Sequence, residues 1–137
     1  MRLVSSALAT GLIITASLLA SPAVSSAKTD PFAGGWESND AADGSYQTLN
    51  VYGSGTGGRH GTLLHDTVAS QACDSQPANV QGPGFVSGVE MTVFFTVTCP
   101  GSGRGPTTGL VGPIVYTYEP DSDTMTDDSG TVWHRLN

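Results

Sequence analysis

The side chains able to do acid, base or metal chemistry in this chain are few, and their spacing separates them. His60, His65 and His134 are its three histidines. Successive side chains of an extended strand alternate between faces, so His60 and His65, an odd number of positions apart, point away from each other. They could share a metal ion only across a bulge. His65 and Asp66 diverge for the same reason and are not expected to pair as base and acid. Asp121, Asp123, Asp127 and Asp128 gather carboxylates near the C-terminus. A calcium loop wants glycine at its sixth position and an acid at its twelfth; counted from Asp121 these are Thr126 and Val132. Turn formation, with each carboxylate accepting from nearby backbone N–H groups, accounts for these acids better. There is no G-x-S-x-G elbow and no glycine loop closing on Lys-Ser or Lys-Thr. The expectation is a chain without catalytic residues, metal site or cofactor, and not an enzyme.

The remaining reactive pair is Cys73 and Cys99, the only cysteines. An even count in an exported chain reads as one disulfide, worth roughly 3 kcal/mol for a loop of this length through restriction of the unfolded chain. Export is expected from the N-terminus. Arg2 precedes an apolar run from Ala7 to Ala20, too short to span a bilayer comfortably, and small residues at Ser25 and Ala27 suit cleavage after Ala27, with Ala23 the alternative. Residues 1–27 are therefore read as a secretory signal peptide, 28–33 as an N-terminal arm and 34–137 as one domain. No cysteine follows the apolar run, which excludes a lipid anchor through an N-terminal Cys. Cleavage would leave Lys28, Arg59, Arg104 and Arg135 as the only basic residues against twelve acids. Nucleic acid and anionic membrane surfaces, which need clustered Lys and Arg, are excluded as partners. The expected location is extracellular or on the exterior of the cell envelope, and the expected state is a monomer with no membrane span.

The elements that must carry these residues are strands. After Ala27 glycine and proline interrupt every candidate helix, and short alternating runs recur between turn clusters. The clearest runs from Val89 to Cys99, with Val89, Met91, Val93, Phe95, Val97 and Cys99 on one face. A Ser87-Gly88 turn is expected to join it to a strand from Val80 to Val86. Trp36–Asn39, Ser45–Tyr52, Arg59–Asp66, Pro113–Glu119, Thr124–Thr126 and Thr131–Leu136 read as further strands. Val68–Cys73 reads as an extension or bend of the third. About eight strands in an antiparallel up-and-down order are best accommodated by closure into a small barrel, because closure removes both sheet edges. Alternation selects Leu49, Val51, Leu63, Met91, Val93, Phe95, Ile114, Tyr116 and Tyr118 as interior residues that would line a mouth holding a small apolar ligand. The other reading is that these side chains simply fill the barrel.

Gly34-Gly35-Trp36 resembles the G-x-W opening of lipocalins, avidins and other calycin-like barrels, and Arg135 lies in the last strand. The resemblance implies that Trp36 seals the barrel base with the Arg135 side chain over it, a cation–π pair worth about 0.5–2 kcal/mol. The chain is shorter than lipocalins and lacks both their trailing helix and a T-D-Y-like signature. It also looks like a functionally uncharacterised group of small exported bacterial proteins, through Trp36–Gln47 and Asp123–Arg135, and is similar in size and disulfide content to small bacterial inhibitors of secreted metalloproteases. The functions implied are a secreted non-enzymatic binding module for a small apolar molecule or, alternatively, a module that binds an extracellular protein such as a protease. The latter would use the loops Gly53–Gly58 and Gly101–Gly105 or the N-terminal arm.

Overall fold

The computed structural model describes residues 30–53, 56–101 and 110–137. The expected signal peptide, Lys28 and Thr29, residues 54–55 of the first glycine loop and residues 102–109, which include most of the second, lie outside the described residues. Eight strands follow in order: β1 (Gly34–Asn39), β2 (Tyr46–Tyr52), β3 (Arg59–Ala69), β4 (Gln76–Ser87), β5 (Glu90–Thr98), β6 (Leu110–Glu119), β7 (Thr124–Asp127) and β8 (Val132–Arg135). Each pairs antiparallel with its neighbour, and β8 returns to β1, so the sheet closes as a barrel. Among the described residues no helix is long and apolar enough to cross a membrane.

Alternation explains which side chains enter. In β5, Met91, Val93, Phe95 and Val97 are buried, and in β2 so are Gln47, Leu49 and Val51. His60 is buried and His65 exposed, on opposite faces as the spacing requires. Three expectations are corrected. Leu63 points outward and is 42% exposed; Leu64, paired with Leu49, takes the inward place. With two leucines in succession the phase of β3 is decided by its partner strand, not by composition. Val89 is likewise exposed, because the two-residue hairpin loop is Gly88-Val89, with Ser87 paired to Glu90. Gly88 has φ of 63°, the first position of a type II′-like turn, where a residue without Cβ is favoured. Finally, β3 ends at Ala69 after an irregularity between Asp66 and Ala69, and Ser70–Ser75 form the turn into β4.

One end of the barrel is sealed by Trp36, which is fully buried. The Arg135 guanidinium carbon lies 4.0 Å from the centroid of its ring, and the two residues are register partners across the closing seam. Arg135 donates from Nη1 to the Ala33 carbonyl at 2.8 Å and from Nη2 to the Pro31 carbonyl at 2.6 Å. Its Nε pairs with Asp123 at 2.9 Å. Gly34, with φ of 124°, leaves room for this fork: a Cβ there would stand 3.1 Å from Arg135 Nη1. The indole Nε1 donates to the Phe32 carbonyl at 2.8 Å.

Asp30–Ala33, the described part of the N-terminal arm, packs onto the barrel as part of the plug. Phe32 is fully buried and meets Tyr118, which meets Trp36 edge-on. Asp30 accepts from the Phe32 and Ala33 backbone N–H groups and contacts the buried His60 ring at 3.1 Å. The forked donor geometry makes Arg135 irreplaceable by a point charge. Arg135→Met should lose the bonds to Ala33, Pro31 and Asp123 and the ring contact, costing about 3 kcal/mol in urea unfolding, and Arg135→Lys should not restore it. A loss under about 1 kcal/mol would contradict this account of the base.

Candidate functional site

The opposite end of the barrel is built differently. It carries the β1–β2, β3–β4 and β7–β8 turns, and the Cys73–Cys99 disulfide ties the β3–β4 turn to the exit of β5, with Cα atoms 5.5 Å apart. Behind these turns lies a cavity of about 230 Å³. Its walls are largely apolar: Leu64, Ala69, Ala78, Val80, Phe95, Val97 and Ile114, with the rings of Tyr116 and Trp133. The two rings pack edge to face, with centroids 5.9 Å apart. Engineered apolar voids of roughly 150 Å³ already admit benzene, so this space suffices for a molecule of at least one ring.

Of the nine interior residues selected by alternation, Phe95, Ile114 and Tyr116 line this cavity. Leu49, Val51, Met91 and Val93 are buried in the core cluster with Trp36, and Tyr118 is half-buried against it; none of these five lines the cavity. Leu63 is on the outer face. The barrel is thus packed toward its base and hollow toward its mouth.

Polar residues that alternation alone did not select complete the site. Asp40, Asp66 and Asp127 line it, and among the described residues no Lys or Arg does. Asp66, buried, accepts from Ser45 Oγ at 2.8 Å and the Val68 N–H at 3.0 Å through Oδ1, and from Gln47 Nε2 at 3.2 Å through Oδ2. The same Gln47 amide donates to Asp40 Oδ2 at 3.0 Å, so one side chain bridges two carboxylates. Asp127 holds the β7–β8 turn through the N–H groups of Ser129 and Thr131, both 3.0 Å from Oδ1. Its Oδ2 accepts from Trp133 Nε1 at 3.1 Å. In every one of these bonds the carboxylate oxygen accepts. No three His, Cys, Asp or Glu side chains among the described residues are arranged to hold a metal ion.

Tyr116 stands apart. It is fully buried, yet its hydroxyl has no hydrogen-bond partner. Burial, and after it the charges of Asp127 and Asp128, push its pKa far above the usual tyrosine value, so it remains a neutral hydroxyl able to donate or accept. Tyr116 and Asp127 are cross-strand partners. A buried unpaired hydroxyl costs the desolvation of that group, and proteins tolerate it chiefly where something else is served. The sequence signal was the alternation of β6, which places Tyr116 inside but says nothing of its partners. Trp133 could have been found by the same alternation in β8, one repeat from Arg135.

At the rim, Asp43 is exposed and its pKa is lowered to about 2, chiefly by a hydrogen bond from the Ser70 side chain and next by Ser45. This links the β1–β2 turn to the β3–β4 turn. Comparison with known proteins finds no family model, curated relative or solved structure that matches the chain.

Two outcomes are expected. Tyr116→Phe should stabilise the fold by about 1 kcal/mol in urea unfolding, because it removes the unpaired hydroxyl and leaves the ring in place; a destabilised variant would mean the hydroxyl has a structural partner. Because the folded Asp43 pKa lies below its ordinary 3.8, the rim link contributes above that value and is lost as pH falls through about 2. Carboxyl NMR should give that midpoint for Asp43, and Ser70→Ala should move it upward.

Proposed function

We propose that this chain is a secreted, monomeric, calycin-like binding module that takes a small, largely apolar molecule into the cavity at the mouth of its barrel and performs no chemistry on it. The observation that carries this reading is the cavity itself. A barrel interior is ordinarily filled by its own side chains to the density of an organic crystal, and here a space of about 230 Å³ stays open toward the mouth. Its walls combine apolar bulk with a few convergent polar groups, the general make-up of a small-molecule site. The rigid sealed base and the disulfide at the mouth favour a site formed before binding, which lowers the ordering cost of association.

Toluene is a suitable neutral probe. On titration into the protein it should shift the backbone amide signals of Phe95, Ile114 and Trp133 selectively. Ile114 is half-buried at the cavity wall, and Ile114→Trp should fill the space, weakening toluene binding at least tenfold with little change in Tm. Absence of any selective shift near toluene saturation would reject the reading. Native mass spectrometry of protein purified from its own host should show a bound small molecule that the Ile114→Trp variant lacks.

A further inference from the structure

Resting on that reading, we infer that the mouth cavity selects an organic amine: a ring-sized apolar body bearing a protonated nitrogen, held between the aromatic walls and the carboxylates. Three independent observations converge on this class. The first is charge. Asp40, Asp66 and Asp127 all line the cavity, and no Lys or Arg among the described residues does. Arg135, the cation of the closing seam, is committed to the sealed base. Among the described residues nothing cationic would offset this field for a neutral guest, and an anionic guest would enter against it.

The second is the hydroxyl of Tyr116, fully buried and without a partner although the residue lines the cavity. A phenol oxygen accepts from an ammonium N–H as readily as it donates. Asp127, its cross-strand partner, also lines the cavity and accepts through Oδ2 from Trp133 alone among the hydrogen bonds described for that oxygen. An ammonium group placed between them would satisfy the phenol oxygen and meet the carboxylate charge.

The third is the aromatic wall. Tyr116 and Trp133 meet edge to face at 5.9 Å, with Phe95 lining the same space. Aromatic faces attract cations, most strongly when the cation is desolvated. A purely apolar guest requires neither the carboxylates nor the unpaired hydroxyl. An amine uses all three features.

A matched set of probes decides the matter: 2-phenylethylamine, its neutral counterpart 2-phenylethanol, and the anion 3-phenylpropionate. Affinities would be read from Trp fluorescence and from amide shifts of the cavity residues. The amine is expected to bind at least tenfold more tightly than the alcohol, with the carboxylate weakest. Asp127→Asn should reduce that ratio at least threefold. Because Asp127 also holds the β7–β8 turn, Asp40→Asn provides the same test away from that turn. Tyr116→Phe should weaken the amine more than the alcohol. If alcohol and amine bind alike, or the ratio survives both Asp substitutions, the amine inference is overturned while toluene binding leaves the apolar cavity reading intact. If neither toluene nor any of the three probes perturbs the cavity residues, both readings fall together.

Discussion

The contact between the Arg135 guanidinium and the Trp36 ring is the interaction on which the rest of this molecule depends. It joins the first strand to the last at the seam where an eight-stranded sheet becomes a barrel. A guanidinium is weakly hydrated and planar, so it can lie on an indole and still direct its N–H groups sideways. Those N–H groups collect the carbonyls of Pro31 and Ala33 and so draw Phe32 beneath the indole. One side chain thereby closes the sheet, plugs its base and satisfies backbone groups that would otherwise be left without partners in a crowded end.

A barrel so sealed at one end has its polar requirements concentrated at the other. The base is dense with aromatic and aliphatic side chains around Trp36, while the mouth substitutes a hydrogen-bonded ring of Ser45, Gln47, Asp40 and Asp66 for further apolar filling. A buried carboxylate such as Asp66 is tolerable only when it is richly hydrogen-bonded, and the Gln47 amide bridges it to the half-buried Asp40. Such a ring holds the turns apart instead of letting them collapse inward. The disulfide at the same end ties the β3–β4 turn to the exit of β5 and so restrains the hollow half.

Much of this was legible before any coordinates. The period-two pattern of β2, β5 and β6 identified buried residues because a strand offers side chains only two directions. Trp36 and Arg135 were paired by the resemblance of Gly34-Gly35-Trp36 to the opening of calycin-like barrels, and the closing seam does bring them together. Leu63 and Leu64 show the limit of that method: two equally apolar neighbours satisfy either phase, and only hydrogen bonding to β2 selects Leu64. Alternation placed Leu49, Val51, Met91 and Val93 inside correctly, but it could not tell the packed half of the barrel from the hollow half, since depth along the axis depends on strand stagger. Asp127 read as a turn residue, and Asp40 and Asp66 were given no role, because a lone acid in sequence carries no sign of the donors that converge on it. Pro31 and Ala33 read as part of an arm because nothing local reveals a partner more than a hundred residues away.

The amino-acid sequence by itself determined the class of this protein: all-β, closed, disulfide-tied and acidic. These follow from short-range rules, alternation, turn chemistry and residue counts, which act between near neighbours along the chain. Tertiary structure alone decided that the interior is filled at one end and open at the other, and that three carboxylates and an unpaired phenol share the opening. Those outcomes depend on register and stagger around the whole closed sheet, where each strand's position is set by both of its neighbours and no single segment carries the information.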